Sequence, residues 1–137
     1  MNAKAVHYAK ASLELDPTDS KAALYAAIAS ANMQRLEEAT NFFSQSISGK
    51  PPLKEALISF AAFNENNNQY EAALKVLEKY NSHYGETIDT MIAKARLLDK
   101  LGKSEQAILQ YKTILASGFA LPPDLKKYIT GRVAASN

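Results

Sequence analysis

The sequence predicts an all-α protein, an α-α superhelix in which antiparallel helix pairs stack side by side and a last helix caps the array. Three observations lead to this fold class. Apolar residues recur every 34 residues, the apolar positions within each segment follow helical spacing, and Pro or Gly ends each segment. A period of this length is typical of repeat proteins, in which each unit buries its apolar face against its neighbours.

The period of 34 appears in four separate series of residues. Alanines near the start of each second helix form the first series, Ala5, Ala39, Ala73 and Ala107, and alanines of the first helices form the second, Ala27, Ala61 and Ala95. The third series consists mainly of large apolar residues, Ala9, Phe43, Leu77 and Tyr111. The fourth consists of the residues that end each unit, Pro17, Pro51 and Gly85. Agreement among four series without a gap indicates a repeated structure.

The first element, residues 2–17, is predicted to be the second helix of an incomplete repeat. This helix must end at Asp16-Pro17, because Pro17 cannot continue a helix and disfavours the α conformation of the residue before it. The residues that can cap the next helix are Thr18, Asp19 and Ser20. We therefore expect the chain to begin inside a longer array.

Three complete helix pairs follow, over 20–51, 54–85 and 88–118. Their apolar residues recur at i, i+3 and i+4, as in the series Leu57, Phe60 and Ala61, which marks one face of a helix. In the third pair, Gly102 is placed to end the first helix.

The segment 122–136 departs from the period and is predicted to form the capping helix. Pro122 and Pro123 suit a helix start. Its apolar face consists of Leu125, Tyr128, Ile129 and Val133. The opposite, polar face is expected to carry Lys126, Lys127 and Arg132. All these elements together predict a single domain over 1–137.

The helix pairs resemble the tetratricopeptide repeat, and the resemblance covers residues 1 to about 118. The segment "YAKASLELDP" is similar to the usual closing phrase of that family. The resemblance implies that the recurring alanines mark where the two helices of a repeat cross closely, since bulkier side chains would force them apart. Departures from the pattern include the aromatic that often opens a first helix, which is replaced here by Ala23, Leu57 and Met91. Lys94 stands where a core leucine is usual, and the turn glycine remains only as Gly102. The C-terminal segment also resembles the closing segment of some bacterial envelope proteins of pilus assembly.

Composition and motifs point away from an enzyme, a cofactor and a metal. The chain has no cysteine, and its 16 basic and 14 acidic residues are interspersed, without the basic stripe of a nucleic-acid-binding protein. His7 and His83 lack ligand partners at suitable spacing and are expected on the surface. No phosphate loop is visible, and no apolar run approaches the ~18 residues of a membrane span. These features predict a soluble protein of the cytoplasm or the periplasm.

The resemblance implies that the first helices line a concave groove that binds a peptide or an amphipathic helix of another protein. The candidate groove residues are Leu24, Tyr25, Ile28, Ile58, Ala62, Ile92 and Arg96. Some relatives grip a chaperone's C-terminal carboxylate with Lys, Asn and Arg in this groove. The matching positions here hold Leu24, Ile28, Ser59, Asp89 and Ala93, so a co-chaperone role is not expected.

The predicted function is therefore that of an interaction scaffold or adaptor, with a bacterial envelope assembly as one setting. Two alternatives remain open at this point. The groove residues can instead pack against one another or against the chain's own tail. The domain can also serve self-association, with a homodimer formed through the incomplete N-terminal repeat.

Overall fold

The computed structural model describes residues 2–136, and these residues form helices joined by short turns and loops, with no β-strand among them. The helices are α1 (Asn2–Leu15), α2 (Ser20–Asn32), α3 (Leu36–Ser46), α4 (Lys54–Asn66), α5 (Tyr70–Tyr84), α6 (Ile88–Lys100), α7 (Ser104–Ala116) and α8 (Pro123–Ala135). The predicted all-α class is confirmed.

The chain divides into two compact units, Met1–Asn67 and Asn68–Asn137. The first unit holds α1 to α4 and the second holds α5 to α8. The grouping into repeats at 20–51, 54–85 and 88–118 within one domain stays a prediction, and Met1 and Asn137 of that domain lie outside the described residues.

The corner between α1 and α2 is built by the polar residues that follow the first helix. The backbone N–H and the hydroxyl of Thr18 both donate to Oδ1 of Asp16, at 3.0 and 2.6 Å. These bonds, the hydroxyl first, lower the pKa of the Asp16 carboxyl. Asp19 is the N-cap of α2, and its side chain accepts a hydrogen bond from the N–H of Ala22 at 3.0 Å. The chain therefore turns where Pro17 ends helical geometry.

A left-handed backbone conformation recurs with the same period of 34. Gln34, Asn68 and Gly102 have φ angles of 60°, 62° and 76°, and each lies just beyond the end of α2, α4 or α6. Glycine adopts this conformation without cost, whereas an L side chain is strained in it. The turn that the sequence marks with one glycine is thus formed at three positions.

In the first unit, α2 packs against α1, α3 and α4. Ala27 of α2 and Ala39 of α3 are fully buried. Phe43 of α3 stacks on Phe60 of α4, with ring centroids 5.1 Å apart, and lies 5.0 Å from the ring of Phe63. The face that α1 turns inward carries Val6, Ala9 and Leu13. Small residues thus lie buried in the paired helices, while aromatic rings fill the space between α3 and α4.

In the second unit, α6 packs against α5 and α7, and α8 packs against α7. One core cluster joins all four helices; its members are Ala73, Leu74, Leu77, Met91, Ala95, Leu97, Leu98, Ala107, Tyr111, Ile114 and Ile129. Ile129 of α8 is fully buried, and Leu125 and Val133 of the same helix pack half-buried against the cluster. The last helix therefore closes the core of this unit.

Candidate functional site

The predicted groove residues of the first unit differ in exposure. Tyr25, Ile28 and Ile58 expose 62%, 40% and 54% of their surface, and Ala62 is also exposed. Leu24, by contrast, exposes only 5% and belongs to the core of the unit. It offers almost no surface to a partner, because successive residues of a helix point about 100° apart and Leu24 faces inward while Tyr25 faces out.

The four exposed residues lie on two neighbouring helices of this unit. Tyr25 and Ile28 are three residues apart on α2, and Ile58 and Ala62 are four apart on α4, so each pair shares one helix face. Because α2 and α4 pack against each other, we name this surface the α2–α4 face. Both helices thus present exposed apolar side chains, a feature that is common on surfaces that contact other proteins.

The two remaining groove residues, Ile92 and Arg96, lie on α6 in the second unit. Ile92 is half-buried and Arg96 is exposed. Both line a cleft of about 290 Å³, which we name the α6–α8 cleft. Its full lining consists of Ile92, Arg96, Asp99 and Lys100 of α6, Tyr111 of α7, and Leu125 and Tyr128 of α8.

A polar cluster adjoins this cleft and ties α8 to α6 and α7. The Tyr111 hydroxyl donates to Oδ2 of Asp99 at 3.0 Å, and Nη2 of Arg132 donates to Oδ1 of the same carboxylate. The Arg132 guanidinium also lies 5.9 Å from the centroid of the Tyr111 ring. Tyr128 meets that ring edge-on, with centroids 6.1 Å apart. Both oxygens of Asp99 are therefore engaged within the unit.

The cluster perturbs two ionisable groups. Burial, and then the hydrogen bond to Asp99, raise the pKa of the Tyr111 phenol well above its usual value, so this group stays neutral at physiological pH. The hydrogen bond to Asp99 also raises the pKa of the Arg132 guanidinium. The charges of Asp99 and Arg132 thus compensate each other beside the cleft, and the Tyr111 phenol adds no charge.

The position of Arg132 corrects the prediction that places it on the polar face of α8 with Lys126 and Lys127. Those lysines are exposed, whereas Arg132 is half-buried against Asp99. It lies three residues after the fully buried Ile129, so it points only about 60° away from the buried direction of the helix. From there its long side chain reaches the α6 carboxylate.

No other chemistry stands out in residues 2–136. His7 and His83 are exposed, and no group of three or more metal-ligating side chains occurs in this range. None of the helices described combines the length and the apolar content that crossing a bilayer requires.

Comparison with solved structures finds this fold in MamA. One crystal structure of MamA superposes with a TM-score of 0.72 and 17% identity, over 90% of this chain and 71% of that one. MamA AMB-1 gives a TM-score of 0.65 and 22% identity, over 98% and 84% of the two chains. A further MamA crystal structure gives 0.65 and 16%, with 81% of this chain matched and 65%, less than two thirds, of that one.

At these identities the likeness concerns the fold, and it supports an all-helical fold of the tetratricopeptide type. No protein family and no curated protein matches the chain by sequence.

Proposed function

We propose that this protein is an interaction module that binds a segment of another protein on its α2–α4 face. The observation that carries the proposal is the exposure of Tyr25, Ile28 and Ile58 on two packed helices of one unit. Tyrosine anchors partners well, because it buries much apolar area with little loss of side-chain freedom, and the isoleucines add further apolar area to be buried. An amphipathic helix with apolar residues at i, i+3 and i+4 fits such a surface.

Charged residues near the α2–α4 face set the orientation of the bound partner segment. Lys21 precedes Tyr25 by one helical turn on α2, and Glu55 precedes Ile58 by three residues on α4; both are exposed. Charges of opposite sign on neighbouring helices favour one direction of an incoming charged segment over the other. Leu24 has no part in this proposal, since it is buried.

The test is capture of partners by the full chain from lysate of the source cells, with the double variant Ile28→Asp, Ile58→Asp. We expect the variant to lose the captured partner, because two carboxylates replace the apolar anchors, and to keep its helicity by circular dichroism. Leu109→Asp is the matched control, since Leu109 is an exposed aliphatic residue on α7 in the other unit. Recovery of the same partner by the double variant would refute the role of this face.

Ile92 and Arg96 line the α6–α8 cleft of the second unit, and their role in binding stays a prediction. A place in a bacterial envelope assembly stays a prediction based on the C-terminal segment, and the resemblance of that segment to pilus-assembly proteins has no support among the matches.

Self-association is the second candidate function, and α1 is the element that favours it. Leu15 exposes 90% of its surface, and Tyr8 of the same helix is also exposed. Two copies can bury these side chains through a symmetric contact. Light scattering from micromolar to millimolar concentration tests this, with Tyr8→Lys, Leu15→Lys as the variant expected to abolish any dimer. A constant monomer mass would exclude this function.

A further inference from the structure

The α2–α4 face has a defined polarity, because its two helices run in the same direction. Gln45, near the end of α3, donates a hydrogen bond to the Pro17 carbonyl at 3.0 Å, so α3 returns the chain to the start of α2. A Cβ built on Gly49, in the loop before α4, would lie 3.3 Å from Oγ of Ser20, the first residue of α2. Both helices are 13 residues long. They therefore begin together at one end of the face and end together at the other.

The end at which α2 and α4 terminate carries two exposed carboxamides. Asn32 and Asn66 are the last residues of the two helices. Asn32 follows Tyr25 on α2 by about two helical turns, and Asn66 follows Ile58 on α4 by about the same distance, so each carboxamide continues an exposed apolar stripe. Within residues 2–136 neither carboxamide has a hydrogen-bond partner. The face thus ends in unused hydrogen-bond donors and acceptors.

The opposite end of the face, where α2 and α4 begin, carries the exposed side chains of Lys21 and Glu55. Their formal charges cancel, so the electrostatic difference between the two ends comes from the helices themselves. A helix carries roughly +0.5 elementary charge at its N-terminus and roughly −0.5 at its C-terminus. Two parallel helices therefore make the asparagine end of the face partly negative and the other end partly positive.

We propose that the α2–α4 face binds an amphipathic helix of a partner protein antiparallel to α2 and α4, with the first turn of that helix at Asn32 and Asn66. The first four N–H groups of a helix have no acceptor within it, and an asparagine side-chain oxygen is among their preferred acceptors. The positive end of the partner helix also meets the negative ends of α2 and α4. This inference rests on the proposed function and specifies the direction of the partner and the chemistry of its bound end.

The length of the face fits such a helix. From residue 21 to residue 32, α2 rises about 16 Å, at 1.5 Å per residue, which a partner helix of about three turns spans. Tyr25, Ile28 and Ile58 lie in the middle of the face, where the apolar stripe of that helix packs. An aspartate or glutamate in the first turn of the partner would face the negative ends of α2 and α4. The partner helix is therefore expected to begin with uncharged or basic residues.

The experiment uses the full chain and a synthetic amphipathic peptide of about 15 residues, near the shortest length at which a helix forms in water. The peptide has leucine at i, i+3, i+4 and i+7, alanine and glutamine elsewhere, and one cysteine at either end for a nitroxide label. Since the protein has no cysteine, only the peptide is labelled. In ¹⁵N-labelled protein, the N-terminal label should broaden the amide signals of Asn32 and Asn66 more than those of Lys21 and Glu55. The C-terminal label should do the reverse.

The discriminating variant is Asn32→Ala, Asn66→Ala, in which alanine, a good helix former, leaves the fold intact. We expect peptide affinity in isothermal titration calorimetry to fall about fivefold, because two hydrogen bonds are lost. Asn41→Ala is the matched control, since Asn41 is an exposed asparagine on α3 of the same unit, and should change affinity less than about twofold. For a peptide with its own N-cap serine, which already accepts from its first turn, the asparagine variant should also cost less than about twofold.

Four results would overturn the proposal: no binding of the peptide, the opposite broadening pattern, the same pattern from both labels, or equal losses in the asparagine variant and the control. If the Ile28→Asp, Ile58→Asp variant loses the peptide while the broadening pattern is reversed, the orientation is wrong and the proposed function stands. If that variant retains its captured partners, the proposed function fails independently.

Discussion

Replacing Gln34 by glycine should stabilise the protein. Gln34 lies between α2 and α3 with φ at 60°, and an L side chain in this conformation costs about 1–2 kcal/mol. Glycine removes that strain but adds about 0.5–1 kcal/mol of backbone entropy to be lost on folding. We therefore expect the free energy of unfolding to rise by about 0.5–1 kcal/mol. The N–H of residue 34 donates to the Ala31 carbonyl at 3.0 Å, a bond that glycine retains.

The reverse substitution, Gly102→Ala, is the matched variant. Gly102 holds the same place after α6 with φ at 76°, and a Cβ built there meets no atom within 4 Å. Any loss of stability must then come from the backbone conformation and not from a clash. We expect the free energy of unfolding to fall by about 1 kcal/mol.

Urea denaturation followed by far-UV circular dichroism measures both effects as shifts of the midpoint at constant slope. The reasoning would be refuted if Gln34→Gly lowered the midpoint, or if Gly102→Ala left it unchanged. Asn68→Gly should gain less than Gln34→Gly, because asparagine tolerates the left-handed region better than glutamine does.

Three further predictions concern the helices themselves. Gly131→Ala should raise the free energy of unfolding by about 0.5–1 kcal/mol in urea denaturation, because Gly131 lies inside α8 with open space around a Cβ. Ser30→Ala should stabilise by about 1 kcal/mol in the same assay, since the Ser30 hydroxyl is buried without a hydrogen-bond partner; a loss would contradict this. The raised pKa of Tyr111 gives stability that is complete below its unfolded pKa of about 10 and is lost as pH rises above it. Tyr111→Phe should therefore flatten the alkaline decline between pH 9 and 11, and an unchanged decline would exclude Tyr111 as its source.

The helical fold can be predicted from the sequence because the residue patterns that indicate it are local and repeated. Five of the alanines that recur every 34 residues, Ala27, Ala39, Ala73, Ala95 and Ala107, are fully buried in the structure, whereas Ala61 is half-buried and Ala5 is exposed. At the first corner, Pro17 and the N-cap Asp19 set the turn through local chain geometry alone. The turn positions at Gln34 and Asn68 have the same conformation as Gly102, but the sequence does not indicate it there, because only glycine is typical of positive φ.

The exposed binding surfaces are harder to predict, because they depend on how far each helix is rotated about its own axis. Leu24 and Tyr25 are adjacent in sequence, yet one is core and the other exposed. The pairing of Asp99 with Arg132 joins residues 33 apart in sequence. Nothing local marks that contact, since it exists only after α8 has packed on the unit. The α6–α8 cleft is likewise a product of that packing.

The distribution of tyrosine side chains provides a spectroscopic probe that is specific to the second unit. The chain has no tryptophan, and the buried tyrosines, Tyr80 and Tyr111, both belong to the second unit, while Tyr8 and Tyr25 of the first are already in water. Intrinsic tyrosine emission should consequently follow the melting of the second unit, whereas ellipticity follows every helix. If the two transition curves have different midpoints, the two units unfold one after the other.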